Sequence, residues 1–448
     1  MSRAETREDD ELAVLLSGHR IGSVRQLRSS GKLQFQYAPE WLGAGRGLPL
    51  SLSMPLVSPT HGNGPISAFM WGLLPDNEQI LDGIAKRHQC SSRNPFALLR
   101  ATGEDCAGAV QFVRPDRLEA IAEGADEIEW LDEAAVAERI RLLRKDAGSV
   151  GRMANDPGSF SVAGAQPKTA LLRSADGAWG IPSGSTPTTH ILKPSSLGLA
   201  GHVENEHFCQ LLAQAAGMTS AVSTVERFED EVVIASRRYD RRTMPDGRIV
   251  RIHQEDACQA LSVPPWSKYE KDKGPGAARI MNEILAFSSR PAVDRATFMD
   301  AVAFNFVILG TDAHAKNFST LLAAGGAMRL APLYDMASVL PYPHIRDDGG
   351  LKLAMSVDGY YRPGDILPRH WSRLARRASY DPDALLGTLG RYVRELPDLA
   401  VDVAGRCRDE GLEDPVIDDL VDAIADRCAK LAAQYAPLAE DAPAGPAP

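Results

Sequence analysis

The 448-residue chain is 44% hydrophobic and 24% charged, an ordinary globular composition that at about 150 residues per domain predicts two or three domains. Its 59 acidic and 49 basic residues leave a net charge of −10, which speaks against a protein that coats nucleic acid through its overall field. The first thirty residues lack the apolar core of a secretory signal, and the best apolar run, AVAFNFVILG at 301–310, falls far short of the roughly 18 residues a membrane span needs, so a soluble, cytoplasmic chain with no membrane contact is expected.

In chain order, KLQFQYAP at 32–39, LSLSMPL at 50–56 and AVQFVRP at 109–115 read as short strands in an α+β module. Between them, FMWGLLPDNEQILDGIAKRH has helical spacing and predicts a helix beginning near Pro75. The amphipathic segment 129–148 predicts a connecting helix ending at Gly148. From 159 the apolar β-formers of TALLR, THILKP and EVVIASR alternate with Asp-Gly and Gly-Ser turns, predicting a small antiparallel sheet. One helix, 204–218, interrupts it with a stripe of Phe208, Leu211, Leu212 and Ala215 before Gly217. Beyond residue 254 the periodicity is almost wholly helical, and the Ala- and Pro-rich tail 436–448 is too poor in large apolar residues to pack. Six cysteines without CxxC pairs or partnered histidines read as reduced thiols rather than zinc ligands or disulfides.

Phosphoryl transfer from ATP needs a phosphate cradle, a lysine that orients the phosphates, a base for the acceptor and ligands for magnesium. SVAGAQPK at 161–168 offers a turn whose small residues let backbone N–H groups approach phosphate, although its spacing is not that of a P-loop. Lys193 closes the strand THILKP, and Glu206, thirteen residues on, stands where a helix glutamate pairs with the strand lysine in protein kinases, Glu204 being the alternative partner. In GTDAHAKNFS, Asp312 and Asn317 have the spacing of the kinase catalytic loop, so Asp312 is the candidate base, Asn317 a magnesium ligand, and His314 or Lys316 a neutraliser of phosphate charge. Asp335 in LYDMAS follows eighteen residues later, like the metal-binding aspartate of D-F-G, with Met336 and Ala337 replacing Phe and Gly. Singly each has a plain reading as a hairpin turn, an exposed lysine or a capping residue; their order makes coincidence improbable. RYDRR at 238–242 and IHQEDACQAL at 252–261 read either as ligand contacts or as a salt-bridged junction, with the junction favoured.

These motifs, with TPTTHILKPS, ENEHFCQLLA, KYEKDKGPG, LLPDNEQ and GEDCAGAVQF, together resemble the HipA family of toxin kinases over residues 30–435. The resemblance implies a two-lobed protein-kinase-like α+β fold: an N-terminal α+β part over 1–115, a kinase-like N-lobe with small antiparallel sheets over 116–253, and an all-α C-terminal lobe over 254–435. It implies ATP and Mg2+ as cofactors, Asp312 as base, and Asn317 and Asp335 as metal ligands. Ala163, Gly164, Ala165, Gln166, Pro167 and Lys168 would cover the phosphates, with Lys193, His314, Ala315, Lys316 and Asn317 also at the nucleotide. Arg237, Arg238 and Tyr239 would lie along the adenine edge, and Ser161 would be an autophosphorylation site that ejects the loop. The family's usual partner is a small HipB-like helix-turn-helix antitoxin, with DNA reached only through that complex. Its known substrates are aminoacyl-tRNA synthetases, glutamyl-tRNA synthetase among them. Arg237 departs from the acidic residue usual there, and Pro167 departs within the loop. A nucleotide-binding co-repressor and a small-molecule kinase are the alternative functions on the same fold.

Overall fold

The computed structural model describes residues 11–45, 47–124, 127–153, 156, 160–195, 198–346 and 350–435; the tail expected to be disordered, 436–448, lies outside them. The N-terminal part is built on an antiparallel sheet in which β1 (Glu11–Leu16) sits between β2 (His19–Gln26) and β5 (Val110–Val113), followed outward by β3 (Leu33–Tyr37) and β4 (Thr60–His61). The β1–β2 hairpin, which the sequence reading did not assign, turns at Ser17 and Gly18, both with positive φ, the conformation that matches the twist of the two strands. Leu12, Val14, Phe35, Phe69 and Phe112 fill its core.

One expectation fails here. The segment 50–56 is not a strand, because its backbone is held by a side chain: the Tyr37 hydroxyl donates to the Met54 carbonyl at 2.6 Å and accepts from Leu50 N at 2.8 Å. The helix expected to begin near Pro75 forms as Glu78–Arg87, and a separate helix not assigned from sequence, Asn63–Gly72, precedes it, with Pro75 in the break. Proline lacks the N–H a helix needs and disfavours helical backbone before it. Asn77 then starts the second by accepting from Gln79 N and Ile80 N.

The middle part holds a six-stranded antiparallel sheet of β6 (Ile128–Leu131), β7 (Thr169–Arg173), β8 (Trp179–Pro182), β9 (His190–Pro194), β10 (Ser223–Phe228) and β11 (Glu231–Arg237), in the spatial order β10-β11-β9-β7-β8-β6. The connecting helix forms as Glu133–Lys145, capped by Asp132. The inserted helix runs His202–Ala215 and ends at the left-handed Gly217, where a side chain would be strained. A short ribbon, β12 (Arg241–Thr243) with β13 (Ile249–Arg251), leads out.

The last part is helical, chiefly Pro291–Val307, Pro368–Arg377, Pro382–Asp409 and Val416–Tyr435, around Phe304, Phe306, Trp371, Tyr392 and Tyr435. Among the described residues it also holds a three-stranded sheet, β14 (His253–Asp256), β15 (Ser319–Leu322) and β16 (Met328–Leu330). Strands of three or four residues leave no alternation long enough to register as β in sequence.

A buried ionic cluster joins the first part to the second. Asp105 accepts from Arg241 at 2.9 Å, Arg251 at 3.3 Å, Arg238 at 3.4 Å and Thr188 Oγ1 at 2.7 Å. Asp240 pairs with Arg238 at 2.9 Å and takes the Gly108 N–H at 2.6 Å. Burial alone would raise the Asp105 carboxyl, but the three guanidiniums hold it well below the usual carboxylate range. The RYDRR side chains of Arg238, Asp240 and Arg241 thus serve as the junction.

Candidate functional site

The two larger parts meet at a cleft of about 420 Å³. Its floor is set by β9, whose penultimate residue, Lys193, lines it. The ammonium lies 2.8 Å from Glu206 Oε1 on the adjoining helix and 2.5 Å from Asp335 Oδ1 across the cleft. Glu206, not Glu204, is therefore the ion-pair partner. Burial by itself would discharge the lysine, yet Asp335 and Glu206 raise its pKa. Burial would likewise raise Asp335, but Lys193 and Lys168 pull it well below the carboxylate range. Asp335 has left-handed backbone at φ 57°, which Asp tolerates better than most residues. It lies beyond β16 rather than ending an apolar strand.

The loop 161–168 closes one side. Gly164 has φ +111°, and a side chain there would collide with the Lys168 ammonium, which donates to the Ala163 carbonyl at 3.0 Å. The loop is docked on the N-terminal part: Ser161 is buried, its Oγ donates to Leu73 O at 2.8 Å, and Asp76 N donates to Gly164 O at 3.0 Å. Gln166 Nε2 reaches the Pro194 carbonyl at 3.2 Å. Burial, aided by the neighbouring Lys193, lowers Lys168 to about 8.

The helix Pro291–Val307 delivers the opposite wall. After it, the Asp312 carbonyl accepts from His314 N at 2.7 Å and Asn317 Nδ2 at 2.9 Å, so the turn is braced on itself before β15 begins. The Asp312 carboxylate is exposed and accepts from the Tyr269 hydroxyl at 2.6 Å. Lys316 and Lys268 both donate to Asp76, at 2.5 and 2.9 Å. Burial would raise Asp76, but the two ammoniums lower it. His314 is buried, which lowers its pKa and favours the neutral ring. Above it, Tyr239 packs on Tyr334 with centroids 5.6 Å apart, and its hydroxyl donates to Gln254 Oε1.

Nearly every residue named from sequence lines this one cleft: Ser161, the loop through Lys168, Lys193, Glu206, Arg237, Arg238, Tyr239, Asp312, His314, Lys316, Asn317 and Asp335. Pro167 and Ala315 lie outside the lining, Ala315 being fully buried. Arg237 is exposed, and its N–H donates to Val222 O at 2.8 Å. The sequence reading missed Asp76, Lys268 and Tyr269, whose motifs LLPDNEQ and KYEKDKGPG carry no spacing rule from which a role follows.

For a cation the donor set is Asn317 and Asp335. Asn317 Nδ2 is spent on the Asp312 carbonyl, which leaves its amide oxygen for a metal, and Asp335 keeps Oδ2. Among the described residues no three His, Cys, Asp or Glu side chains converge as a metal cage. Two protein oxygens supplemented by phosphate are what Mg2+ takes in nucleotide sites, so the residues fit it.

The chain is similar to known proteins over most of its length. A family model described as the HipA N-terminal domain matches residues 12–113, and one described as the HipA-like C-terminal domain matches residues 160–400. A putative kinase, Y4mE of Sinorhizobium fredii, is 34% identical over 88% of this chain and 94% of its own. The serine/threonine-protein kinase toxin HipA of Shewanella oneidensis is 28% identical over 90% of each chain. A solved complex of HipA, HipB and operator DNA from Shewanella oneidensis superposes with a TM-score of 0.79 at 25% identity, covering 96% of this chain and 99% of that one.

Proposed function

The chain belongs to the HipA family, and from that premise we propose that it is a serine/threonine protein kinase acting as the toxin of a toxin–antitoxin pair. The observation that carries the reading is the convergence of the Lys193–Glu206 pair with Asp312, Asn317 and Asp335 in one cleft. Lys193, held charged by its two carboxylate neighbours, orients the ATP phosphates. Bound magnesium, held by Asn317 and Asp335, would supply charge neutralisation at the transferring phosphoryl group. Asp312, at the open mouth, accepts the proton of the attacking hydroxyl, and Lys168 and Lys316 offset phosphate charge from the loop and the floor. Residues 1–115 brace the loop, 116–253 hold the nucleotide and 254–435 carry the base.

The substrate we propose is a serine of an aminoacyl-tRNA synthetase such as glutamyl-tRNA synthetase, and the partner a helix-turn-helix antitoxin through which alone DNA is contacted. Autophosphorylation at Ser161 is the proposed off switch. Its support is the contact Ser161 makes: the buried hydroxyl donates to the Leu73 carbonyl, and a phosphate dianion in its place would face that carbonyl oxygen instead. The test is incubation of wild type and Asp312→Ala with magnesium and labelled ATP, alone and with purified synthetases, followed by mapping of the label. Label on Ser161 or a synthetase, absent from Asp312→Ala, is the expected result. ATP binding without transfer would instead favour a nucleotide-binding co-repressor.

A further inference from the structure

A base that awaits an acceptor hydroxyl should face open space, yet Asp312 already holds one. Among the described residues its carboxylate accepts a single hydrogen bond, from the Tyr269 hydroxyl at 2.6 Å. A phenol O–H pointing at the carboxylate makes the same contact that a serine or threonine hydroxyl makes when it hands over its proton. On the strength of this geometry, and resting on the kinase reading above, we infer that Tyr269 occupies the seat of the acceptor hydroxyl, so that the acceptor site lies between Asp312 and the segment 265–272 and opens only when the phenol leaves.

The surroundings fit a side chain that swings on a fixed backbone. Tyr269 is half-buried, with its ring edge-on to His314 at 5.2 Å and the Lys268 and Lys271 ammoniums 5.5 and 5.6 Å from its centroid. The next residue is anchored: Glu270 accepts from Ser356 N at 2.6 Å, and its own N–H donates to Ala354 O at 3.3 Å. Ala354 N in turn donates to Thr311 O at 3.0 Å, immediately before the base. Gly276 lets Glu270 lie there, since a Cβ at that position would meet its carboxylate at 2.5 Å. The backbone on both sides of the contact is thus framed as one unit, so the inferred release is a rotation of the tyrosine side chain. Beside the seat, Trp266 is 66% exposed and packs edge-on against Trp71 with centroids 5.9 Å apart, giving an arriving protein segment an aromatic rim.

The seated phenol holds one oxygen of an otherwise solvent-exposed base and competes with water for it. In the side reaction, a water oxygen bonds to the γ-phosphorus as its proton passes to Asp312, and the bond to the bridging oxygen breaks with its electron pair leaving on ADP. The probe is therefore Mg-ATP with water as acceptor, measured on the full chain. Tyr269→Phe keeps the ring and its stacking but removes the O–H, and a hydrogen bond to a charged group is worth roughly tenfold or more. The expected result is ATP hydrolysis about tenfold faster in Tyr269→Phe, with KM for ATP unchanged, and abolished again in Tyr269→Phe/Asp312→Ala. Hydrolysis equal to or below wild type in Tyr269→Phe, or a rise that survives loss of Asp312, would overturn the inference while leaving the kinase reading intact. ATP binding with neither hydrolysis nor transfer by any variant would remove the kinase reading and this inference together.

Discussion

Replacing Asp76 by Asn keeps the side-chain shape and removes the charge that two ammoniums share. Asp76, Lys316 and Lys268 have side chains only 8%, 4% and 11% exposed, so the pairs are buried rather than surface pairs. Burial alone would lower the Lys316 pKa, and Asp76 is the main group raising it. Removing one partner of a buried pair costs about 3–5 kcal/mol; because the cleft mouth lets water reach the freed ammoniums, the lower end, about 3 kcal/mol, is expected in urea unfolding. Lys316 immediately precedes Asn317, and a shift of about 1 Å in such a group lowers turnover roughly a hundredfold. Autophosphorylation and urea unfolding of Asp76→Asn, Lys316→Met and the double variant form a cycle whose coupling should exceed about 1 kcal/mol. Additivity within about 0.5 kcal/mol, or full activity in Asp76→Asn, would refute the argument that the N-terminal part positions the catalytic loop.

The two remaining predictions concern the nucleotide loop. With Lys168 lowered to about 8 in the free protein, its charge is lost as pH rises through 8, so ATP affinity measured by calorimetry should fall between pH 7 and 9 in wild type and stay level in Lys168→Arg. The same shift, downward from 10.5 for a base, means that the unfolded chain binds the extra proton between 8 and 10.5, so this group's contribution to stability rises with pH across that window. Ser161→Asp should weaken ATP binding at least tenfold, about 1.4 kcal/mol, because a carboxylate would face the Leu73 carbonyl; Ser161→Ala should bind ATP as wild type does.

The kinase-like α+β fold class was legible in the sequence, as were the residues that the fold brings to one cleft. Lys193, Glu206, Asp312, Asn317 and Asp335 were legible because phosphoryl transfer fixes the order and spacing of its parts along the chain. Asp76 and Tyr269 were not, since each acts across a long sequence separation, on Lys316 and Asp312 respectively, and no local pattern encodes such a contact. The longer helices were legible from their apolar stripes, Glu133–Lys145 and His202–Ala215 among them. The segment 50–56 misled because alternation of apolar residues signals burial of every second side chain without saying whether a strand or a tyrosine hydroxyl satisfies the backbone. The strands β14, β15 and β16 were hidden by their length.

The arginines around Asp105 bear on how the molecule comes apart. Family models divide the chain between residues 113 and 160, yet the carboxylate neutralising Arg238, Arg241 and Arg251 lies on one side of that gap and the guanidiniums on the other. Separating the halves would leave three buried cations with one aspartate, Asp240, among them. The division is one of sequence and not of contacts: a cut in that gap would part Asp105 from all three arginines it pairs with.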